Sequence, residues 1–573
     1  MAIIRRRTFS EQTELPDDMS PLLKRIFAAR GVTAADQIRH ELKHLVPVSR
    51  LGGLSDAVDL LERHFDAETP VTVVGDFDAD GATGSALLVR GLVALGFVNV
   101  RYLVPNRFDY GYGLTTEIVD LAARDCPGLI VTVDNGVTSV EGAARARELG
   151  IDVLVTDHHL PGDQLPCANA IVNPNLVGNE FPSKCLAGVG VAFYLVAALA
   201  RRFGETGREP ASAGFQPGRL LDLAALGTIA DVVPLDYNNR ILVSEGLERI
   251  RAGRCSAGIT ALLECAGRSP ETATTSDLAF AVAPRLNAAG RLTDMSLGIE
   301  CLLTDDPARA LELARRLDEL NRERRKIEAR MQSDAMAAVE AKISGVEAGR
   351  IPGGLCLYDE SWHPGVVGLV ASRVKDRLHR PVVAFARDDS ENLKGSGRSV
   401  AGCHIRDVLA GIATRDPGLI ARFGGHAMAA GLTLRLDRLD DFRAAFERAV
   451  DEILDADELE NTLLTDGELT ATELTLENAT LLRYAAPWGQ AFPEPIFDGE
   501  FSAHEQRVVG ERHLRLRVAP ATGGPIITAI AFNQAASLAT AQAGTMRLAY
   551  RLGVNAWRGV ESLELVVEHM ESA

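Results

Sequence analysis

Three carboxylates lie within five residues of this sequence, and they are the first side chains that could do chemistry. Asp76, Asp78 and Asp80 form the run DFDAD. Like charges this close repel one another and cannot all stay ionised without a cation. Divalent metals with oxygen ligands would resolve that conflict. A solvated acidic turn is the alternative, and the run alone does not decide between the two.

Further acids and a histidine pair follow apolar stretches. Asp134 comes directly after LIVTV, and Asp157, His158 and His159 end the run IDVLVTDHH. Adjacent histidines at a strand end point in different directions, so one can ligate a metal while the other faces a substrate. Carboxylate with imidazole suits manganese, magnesium or zinc, and the carboxylate excess favours the first two. An ordinary turn and an ordinary histidine pair remain the alternatives.

The surrounding pattern predicts how these side chains are positioned. Short apolar strands alternate with helices between residues 71 and 172, which is typical of βαβ units and a parallel sheet covered on both faces. Ligands bind outside the carboxyl ends of such strands. A helix-like run at 221–235 adds Asp231. We therefore expect the four acidic stretches to converge on a pair of divalent metals that hydrolyse phosphodiester bonds.

Later parts of the chain have a different character. Residues 1–50 read as a polar, helical lead-in, and 306–343 read as one long helix with a narrow apolar stripe, which favours a connection between domains. Residues 351–455 repeat an α/β pattern, and 465–573 have the short alternating runs of a small β-barrel or sandwich.

Several polar motifs could bind phosphates. Arg285, Asn287 and Arg291 lie in PRLNAAGR, where the alternative is a plain loop. Arginine forks suit phosphate oxygens. The glycine-rich stretches around Arg398 and His426 could clamp a phosphodiester, and a tight hairpin turn is the alternative for each.

The alternation in HLRLRV predicts a strand with Arg515 and Arg517 on one face and leucines inside. This would be a basic surface for a nucleic-acid backbone, or alternatively a solvated strand face. Trp488 and Phe492 could stack on bases or plug the barrel.

Composition limits the classes of protein that remain. The chain has 573 residues, which suggests three or so domains, and a net charge of −18, which argues against nonspecific nucleic-acid binding by the whole surface. Its eight cysteines are scattered without a CxxC pair, as expected for reduced thiols. We find no signal peptide, no apolar run of the about 20 residues that span a bilayer and no Walker motif. We expect a soluble cytoplasmic protein that does not bind membranes.

In their order, these motifs resemble the DHH superfamily of phosphoesterases and, within it, the bacterial RecJ family of single-strand-specific 5′→3′ exonucleases. The resemblance covers nearly the whole chain. It is carried by GDFDADGATG (75–84), VPNRFDYGYGL (104–114), VTVDNG (131–136), TDHH (156–159), IADVVPL (229–235), RLNAAGR (285–291), WHPGVVGLVASR (362–373), GSGRS (395–399), GGHAMAAG (424–431) and PWGQAFPEPIF (487–497).

The resemblance implies an α/β fold class with a parallel-sheet DHH domain and a smaller α/β DHH-associated domain joined by a long helix, plus a C-terminal OB-fold barrel. The expected divisions are a lead-in at 1–50, the DHH catalytic domain at 51–305, the connecting helix at 306–345, the DHH-associated substrate-binding domain at 346–457 and the OB-fold at 458–573.

The implied function is a single-stranded-DNA-specific 5′→3′ exodeoxyribonuclease that releases 5′-mononucleotides by two-metal hydrolysis with Mn²⁺ or Mg²⁺, in DNA recombination and repair. Asp134 would bridge the two ions and His159 would contact the scissile phosphate. The implied metal ligands are Asp76, Asp78, Asp80, Asp134, His158 and Asp231. The implied substrate-binding residues are Arg107, Arg285, Asn287, Arg291, Ser396, Arg398, His426, Arg515 and Arg517.

The implied partners are single-stranded DNA, single-strand-binding protein and a RecQ-type helicase, with the enzyme acting as a monomer. Two other functions stay open. One is a DHH-family nanoRNase or small-nucleotide phosphodiesterase, which the expected OB-fold disfavours. The other is a non-catalytic RecJ-like replication scaffold, which the intact acids disfavour.

Overall fold

The computed structural model describes residues 3–9, 13–104, 113–344, 352–388, 392–454, 462–535, 544–557 and 559–572. These residues divide into two compact units. The larger unit comprises the described residues of Ile4–Glu319 and Leu464–Ala573, and the smaller unit comprises Ile3 and those of Leu320–Leu463. Both the parallel sheet and the C-terminal barrel therefore belong to the larger unit.

Seventeen strands and seventeen α-helices are described. The strands are β1 Ile3–Arg6, β2 Val71–Gly75, β3 Val100–Leu103, β4 Leu129–Val133, β5 Asp152–Thr156, β6 Ala170–Val172, β7 Leu355–Tyr358, β8 Val382–Arg387, β9 Asn392–Arg398, β10 Arg422–Gly425, β11 Ala429–Arg435, β12 Thr462–Thr465, β13 Phe497–Val509, β14 His513–Pro520, β15 Ile527–Ala531, β16 Thr545–Trp557 and β17 Val560–Ser572. The helices are α1 Pro21–Ala28, α2 Leu54–Asp66, α3 Ala79–Leu95, α4 Thr116–Ala123, α5 Val140–Glu148, α6 Gly188–Glu205, α7 Leu221–Ala230, α8 Tyr237–Arg251, α9 Ala257–Cys265, α10 Thr275–Asp277, α11 Ala283–Leu292, α12 Ser296–Leu303, α13 Pro307–Ser344, α14 Val367–Leu378, α15 Ile405–Arg415, α16 Leu439–Asp451 and α17 Leu476–Tyr484.

The predicted parallel sheet is confirmed. Its order is β3-β2-β4-β5-β6, and every neighbouring pair is parallel. Every residue of β2 and β4 is buried, because helices cover both faces. Gly75 pairs with Val133, and Val133 pairs with Thr156. The three strands thus end at the same level, and the residues that follow them emerge side by side.

The smaller unit contains a mixed sheet in the order β10-β11-β9-β8-β7, in which only β7 and β8 are parallel. Apolar clusters lie on both of its faces. Phe442 and Phe446 of α16 pack on one face, and Val370 of α14 and Met331 of α13 pack on the other. The second α/β pattern of the sequence is therefore confirmed.

The long helix is confirmed as α13. Asp306 caps its first turn by accepting a hydrogen bond from Ala308 N (3.0 Å), as its position before Pro307 predicts. Leu313 and Leu317 are fully buried in the larger unit. Further along, Arg324 pairs with Glu328 at 2.6 Å, and both are buried within the smaller unit.

The C-terminal strands form a closed barrel in the order β13-β14-β15-β17-β16, which confirms the predicted OB-like barrel. Leu514 and Leu516 point into it, while Arg515 and Arg517 are exposed. None of the helices in the described ranges is both long and apolar enough to cross a membrane.

Three local predictions were wrong. The lead-in is helical in part, but it also contains strand β1, which pairs with β12, and it is not polar throughout, because α1 buries Ile26 and Phe27. The hairpin turn considered for GSGRS is absent, because its glycines lie in β9, the central strand of the smaller sheet, where Gly395 leaves room for the ring of Phe385. Trp488 and Phe492 stack on each other, with ring centroids 5.4 Å apart, and pack on Phe27 before the barrel begins, so they do not plug it.

Candidate metal centre

The carboxyl ends of β2, β4 and β5 bring the predicted acids and histidines together. Three groups of side chains offer ligand atoms that lie within 4.8 Å of one another. The groups are Asp76, Asp78 and Asp134; Asp134, His158 and His159; and Asp80, His158 and Asp231. Asp134 and His158 each belong to two groups, so the described groups form one continuous cluster.

Backbone amides hold the loop between β2 and α3. Asp78 caps α3 by accepting hydrogen bonds from Asp80 N (2.9 Å) and Gly81 N (3.0 Å). Both oxygens of Asp80 accept from the start of α6, one from Gly188 N at 2.6 Å and the other from Val189 N at 2.9 Å. These contacts fix the carboxylates before any ligand binds, and the helix ends favour their negative charge.

Asp134 occupies a strained and crowded position. Its φ is +62°, a left-handed conformation that is uncommon for residues other than glycine, although aspartate adopts it more often than most. A Cβ added to Gly188 would lie 2.5 Å from the Cβ of Asp134, so only glycine fits against it. The neighbouring Asn135 donates from Nδ2 to the carbonyls of Val74 and Val133 and ties β2 to β4. The turn that the sequence suggests is therefore built around this carboxylate.

Asp157 orients the histidine pair. It is 1% exposed and accepts from the amides of Val137, His158 and His159 as well as from His159 Nδ1 at 2.7 Å. The other histidine turns inward, with His158 Nε2 3.0 Å from Asp134 Oδ1 and 3.5 Å from Asp231 Oδ2. The two histidines therefore have different hydrogen-bond partners, but both rings approach Asp134, since His159 Nδ1 lies 3.9 Å from the same Oδ1.

Burial and mutual repulsion disfavour the charged form of the central acids. Burial, together with the charge of Asp231, raises the pKa of Asp80 to about 7. Burial and the charge of Asp78 raise the pKa of Asp231 to about 8, and burial and Asp80 raise the pKa of Asp134 well above its usual range. The positive charge near these acids is too small to offset their burial and mutual repulsion.

The histidines respond in opposite directions. Burial, reinforced by the charge of His159, lowers the pKa of His158. For His159, burial acts downward, but the hydrogen bond and charge of Asp157 outweigh it and raise the pKa to about 9. A neutral His158 can use its ring nitrogen as a metal ligand.

The cluster fits divalent cations. Asp231 Oδ2 is enclosed and has no hydrogen-bond partner among the residues that the structure describes. The remaining donors are carboxylate oxygens with one inward imidazole nitrogen, a set that suits manganese or magnesium. A cation there would remove the repulsion that raises the carboxyl pKa values.

The structure places the PRLNAAGR residues beneath this cluster, on helix α11. The alternative of a plain loop is therefore wrong, although a π-helical turn at Leu278–Val282 precedes the helix. Asn287 Oδ1 accepts from Ala79 N at 2.8 Å and so supports the acidic loop, residues 76–80 between β2 and the first turn of α3. Arg285 is 8% exposed and pairs with Asp318 at 2.7 Å. Arg291 lies in the last turn of α11.

The other predicted substrate residues lie elsewhere. Arg107 falls outside the described residues. In the smaller unit, Ser396 and Arg398 lie two residues apart on the same face of β9, and Arg398 pairs in register with Ala429. His426 lies in the hairpin between β10 and β11, where its amide donates to Ala429 O (2.8 Å). Arg398 and His426 are thus at the same end of this sheet.

Arg515 and Arg517 line a cavity of about 660 Å³ on the outer face of the barrel, together with Arg507. Arg517 also pairs with Glu505 at 3.0 Å. The predicted basic strand face therefore exists, and it includes one compensating carboxylate.

Sequence reasoning did not find how several residues organise the centre. Asp157 belongs to the histidine stretch that we expected to converge on the metals, but no ligand or substrate role was predicted for it. Asn173 and Asn175 donate to the carbonyls of His159 and His158. They lie more than a dozen residues later, beyond β6, and no local pattern connects them to the histidines.

Known families match most of the chain. Residues 70–228 match the DHH family N-terminal domain, 352–452 match the DHHA1 domain, and 465–569 match the RecJ OB domain. Over 568 residues the chain is 51% identical to the single-stranded-DNA-specific exonuclease RecJ of Salmonella typhimurium, covering 99% of this chain and 98% of that protein. The chain belongs to the RecJ family. RecJ of Escherichia coli is 50% identical over 570 residues, with the same coverage.

Solved RecJ structures confirm the fold. RecJ of Thermus thermophilus in complex with Mn²⁺ superposes with a TM-score of 0.79 at 32% identity, covering 97% of this chain and 76% of that one. The same RecJ in complex with Mg²⁺ gives a TM-score of 0.74 at 31% identity, covering 97% and 75%. Metals of the predicted kind are therefore bound in a RecJ of the same fold.

Proposed function

We propose that this RecJ-family chain is a single-stranded-DNA-specific exonuclease that releases 5′-mononucleotides in the 5′→3′ direction, in DNA recombination and repair. Its relatives are named for the single-strand-specific exonuclease activity. The direction, the product and the cellular process are our inference. The observation that carries the proposal is the cluster of carboxylates and histidines at one sheet edge, in groups that could hold metal ions.

Two ions, Mn²⁺ or Mg²⁺, are the proposed cofactors. The proposed ligands are Asp76, Asp78, Asp80, Asp134, His158 and Asp231. The membership of Asp134 in two ligand groups supports a bridging role. The chemistry that such ions supply when bound is activation of water and stabilisation of charge on phosphoryl oxygens.

The chain's own residues would position the reacting groups. Asp157 holds Nδ1 of His159, which directs the opposite ring nitrogen away from Asp157. There it could donate a hydrogen bond to an oxygen of the scissile phosphate. Asn287 and the amides of Gly188 and Val189 would keep the acidic loop in place throughout the reaction. No covalent intermediate with the enzyme is required.

Substrate binding would involve several basic surfaces. We propose Ser396, Arg398 and Arg107 for the terminal 5′-phosphate and nearby backbone, His426 for the scissile region, and Arg291 for an adjacent phosphate. Arg515 and Arg517 would contact the strand on the barrel. Because Arg285 is buried against Asp318, we expect it to act by positioning α11 and the loop that Asn287 supports.

The domain divisions that we propose remain those expected from the sequence: 1–50, 51–305, 306–345, 346–457 and 458–573. The three family matches fall inside the second, fourth and fifth of these divisions. A single-strand-specific enzyme needs a supply of single strands, so we also propose cooperation with a RecQ-type helicase and single-strand-binding protein. We propose that it acts as a monomer in the cytoplasm.

Labelled DNA tests the reaction directly. Single strands and duplexes carrying a 5′ or a 3′ label are incubated with Mn²⁺ or Mg²⁺. We expect the 5′-labelled single strand to release its label as a mononucleotide from the first turnovers, while the 3′ label stays on shortening strands. Early release of the 3′ label, or equal attack on blunt duplex, would contradict the proposal.

Asp134→Ala tests the centre. The variant should lose Mn²⁺-dependent nucleotide release, and Mn²⁺ should no longer raise its melting temperature, because ligand binding stabilises only a state that holds the ligand. Asp163→Ala, which removes an exposed carboxylate from the loop after the histidines, is the matched control and should behave as wild type. Full activity in Asp134→Ala would refute the catalytic assignment.

A further inference from the structure

A second cavity lies at the opposite ends of two helices that carry acids of the metal centre. It has a volume of about 610 Å³. Arg90 of α3 and Asp222 of α7 line it, whereas Asp80 begins α3 and Asp231 ends α7. The ten residues from Asp80 to Arg90 correspond to about 15 Å of helix. This α3–α7 cavity is therefore separate from the metal centre.

Guanidinium groups from three separate segments line the α3–α7 cavity. Arg90 is already committed, because it donates to the carbonyls of Leu302 and Leu303 and pairs with Asp305 at 2.9 Å. Arg219 and Arg254 are exposed, and no carboxylate pairs with either of them in the part of the chain that the structure describes. The cavity lining also contains Asp222 and Asp305, but two arginines without a paired carboxylate at one cavity are notable on a chain with a net charge of −18.

The segment that carries Arg254 is held in place by its neighbours. Asp222 is 2% exposed and accepts from Ser256 N at 2.7 Å. Arg249 donates to the carbonyl of Arg254 at 2.8 Å. Burial raises the pKa of Asp222, although the hydrogen bond from Ser256 N acts against that shift. The position of Arg254 is therefore set by the fold.

The opposite wall of the α3–α7 cavity is apolar. It is formed by Val89 and Val93 of α3, by Phe215, and by Leu220 and Leu223. Phe215 and both leucines are largely buried, whereas Val93 is 49% exposed, so the wall runs from the core to the surface. Small-molecule sites combine such walls with a few placed polar groups, in volumes of roughly 300–1,000 Å³.

We propose that the α3–α7 cavity binds a small phosphate monoester that carries a flat apolar group, the chemical class to which 5′-mononucleotides belong. Arg219 and Arg254 would hold the phosphate, since guanidinium forks bind its oxygens in pairs. The apolar wall would cover the flat group. Neither the site nor its test depends on the catalytic assignment.

Cys255 provides a local reporter. It lines the α3–α7 cavity beside Arg254, and its thiol lies 3.2 Å from Thr260 Oγ1. Cys126 is exposed elsewhere on the same unit and serves as an internal reference. The rate of alkylation at each cysteine, read by peptide mass spectrometry on the full chain with metal chelated, reports occupancy at this cavity alone.

Deoxyadenosine 5′-monophosphate is the probe, with deoxyadenosine and inorganic phosphate as comparison arms. We expect the nucleotide to slow labelling of Cys255 several-fold and to leave Cys126 unchanged, with a weaker effect of either half alone. Arg219→Gln/Arg254→Gln should abolish the protection while exonuclease activity stays at the wild-type level. Arg124 is exposed at the C-terminus of α4, outside the cavity, so the control variant Arg124→Gln should keep the protection.

Four results would overturn the proposal. The first is absence of protection at Cys255, and the second is equal protection by deoxyadenosine, which would show an apolar pocket without phosphate recognition. The third is full protection in the double arginine variant. Equal protection by inorganic phosphate would likewise overturn the assigned ligand class, because it would show a simple anion site.

Discussion

The carboxylate of Asp157 acts through the residues around it. None of the three ligand groups found among the described residues contains it. Instead it accepts four hydrogen bonds from the segment that includes both histidines and from Val137. Burial alone would raise the pKa of Asp157, but the hydrogen bond and charge of His159 lower it overall. It stays ionised and holds His159 in one orientation.

We therefore expect Asp157→Asn to reduce the exonuclease rate by roughly 10–100-fold, the usual loss when a group that orients a ligand is removed. Asparagine keeps one acceptor oxygen, so the loop should fold while His159 loses its fixed ring orientation. Steady-state kinetics on a 5′-labelled single strand measures the effect, and Asp163→Asn is the matched control. An unchanged rate would show that His159 needs no such support.

The contact of Gly188 with Asp134 offers a second test at the scale of single residues. Its hypothetical Cβ would meet the Cβ of Asp134 at 2.5 Å, whereas a Cβ on Gly204, in the same helix α6, would meet nothing within 4 Å. Gly188→Ala should cost about 1–3 kcal/mol through overpacking and weaken Mn²⁺ binding. Gly204→Ala should stabilise by up to about 1 kcal/mol.

Urea denaturation of both glycine variants, with and without Mn²⁺, measures these opposite changes. The comparison separates crowding at the metal centre from the helix propensity of alanine, because both substitutions add one methyl group to α6. Equal stabilisation by the two alanines would mean that Asp134 can move away without cost.

At the scale of elements, the sequence predicted the secondary structure wherever the pattern of apolar residues matches the burial of the element. β2, β4 and β5 are short apolar runs whose burial on both faces leaves one interpretation, and the acids after them follow from the topology of a parallel sheet. The helix α11 was missed because Pro284 and small residues conceal a periodic pattern that only its packing under the acidic loop explains. The role of Asn173 depends on a long-range contact with the carbonyl of His159, which no local pattern encodes.

The segment before α2 was also underestimated, because its contacts are distant in sequence. Residues around His40 pack on α8, where the His40 ring lies 6.4 Å from that of Tyr237 and Arg240 donates to the carbonyl of Gln37. Burial, together with the charge of Arg240, lowers the pKa of His40 to about 4. This docked segment should therefore make stability sensitive to acid.

The lowered pKa of His40 determines how the free energy of unfolding changes with pH. Between pH 6.5 and about 4, His40 is protonated in the unfolded chain and neutral in the folded one, so the unfolded state binds more protons and stability falls as the pH is lowered. His40→Gln removes this contribution, which is on the order of 1–3 kcal/mol. Urea unfolding at pH 7 and at pH 4.5 should show that the variant loses less of its free energy of unfolding on acidification than the wild type does. A parallel loss in both proteins would mean that His40 is solvated.

At the scale of the whole molecule, an acidic chain must bind an acidic polymer. The net charge of −18 opposes long-range attraction to DNA, so affinity has to come from local basic surfaces. The outer face of β14 is one such surface, with Arg515 opposite Arg507 across the strand pair. Glu505 lies on the same face and pairs with Arg517, which should limit how tightly the barrel holds a strand.

Charge changes on this face should therefore act in opposite directions. Arg515→Gln/Arg517→Gln should weaken binding to single strands and reduce the slope of log affinity against log salt by about 0.7 for each phosphate that the barrel no longer neutralises. Glu505→Gln should strengthen binding, because it releases Arg517 and removes a charge that repels phosphates. Fluorescence anisotropy with a labelled oligonucleotide, over a salt series with metal chelated, measures both. If the barrel does not touch the strand, neither substitution changes the slope, whereas affinities that move in the same direction would point to a loss of barrel structure.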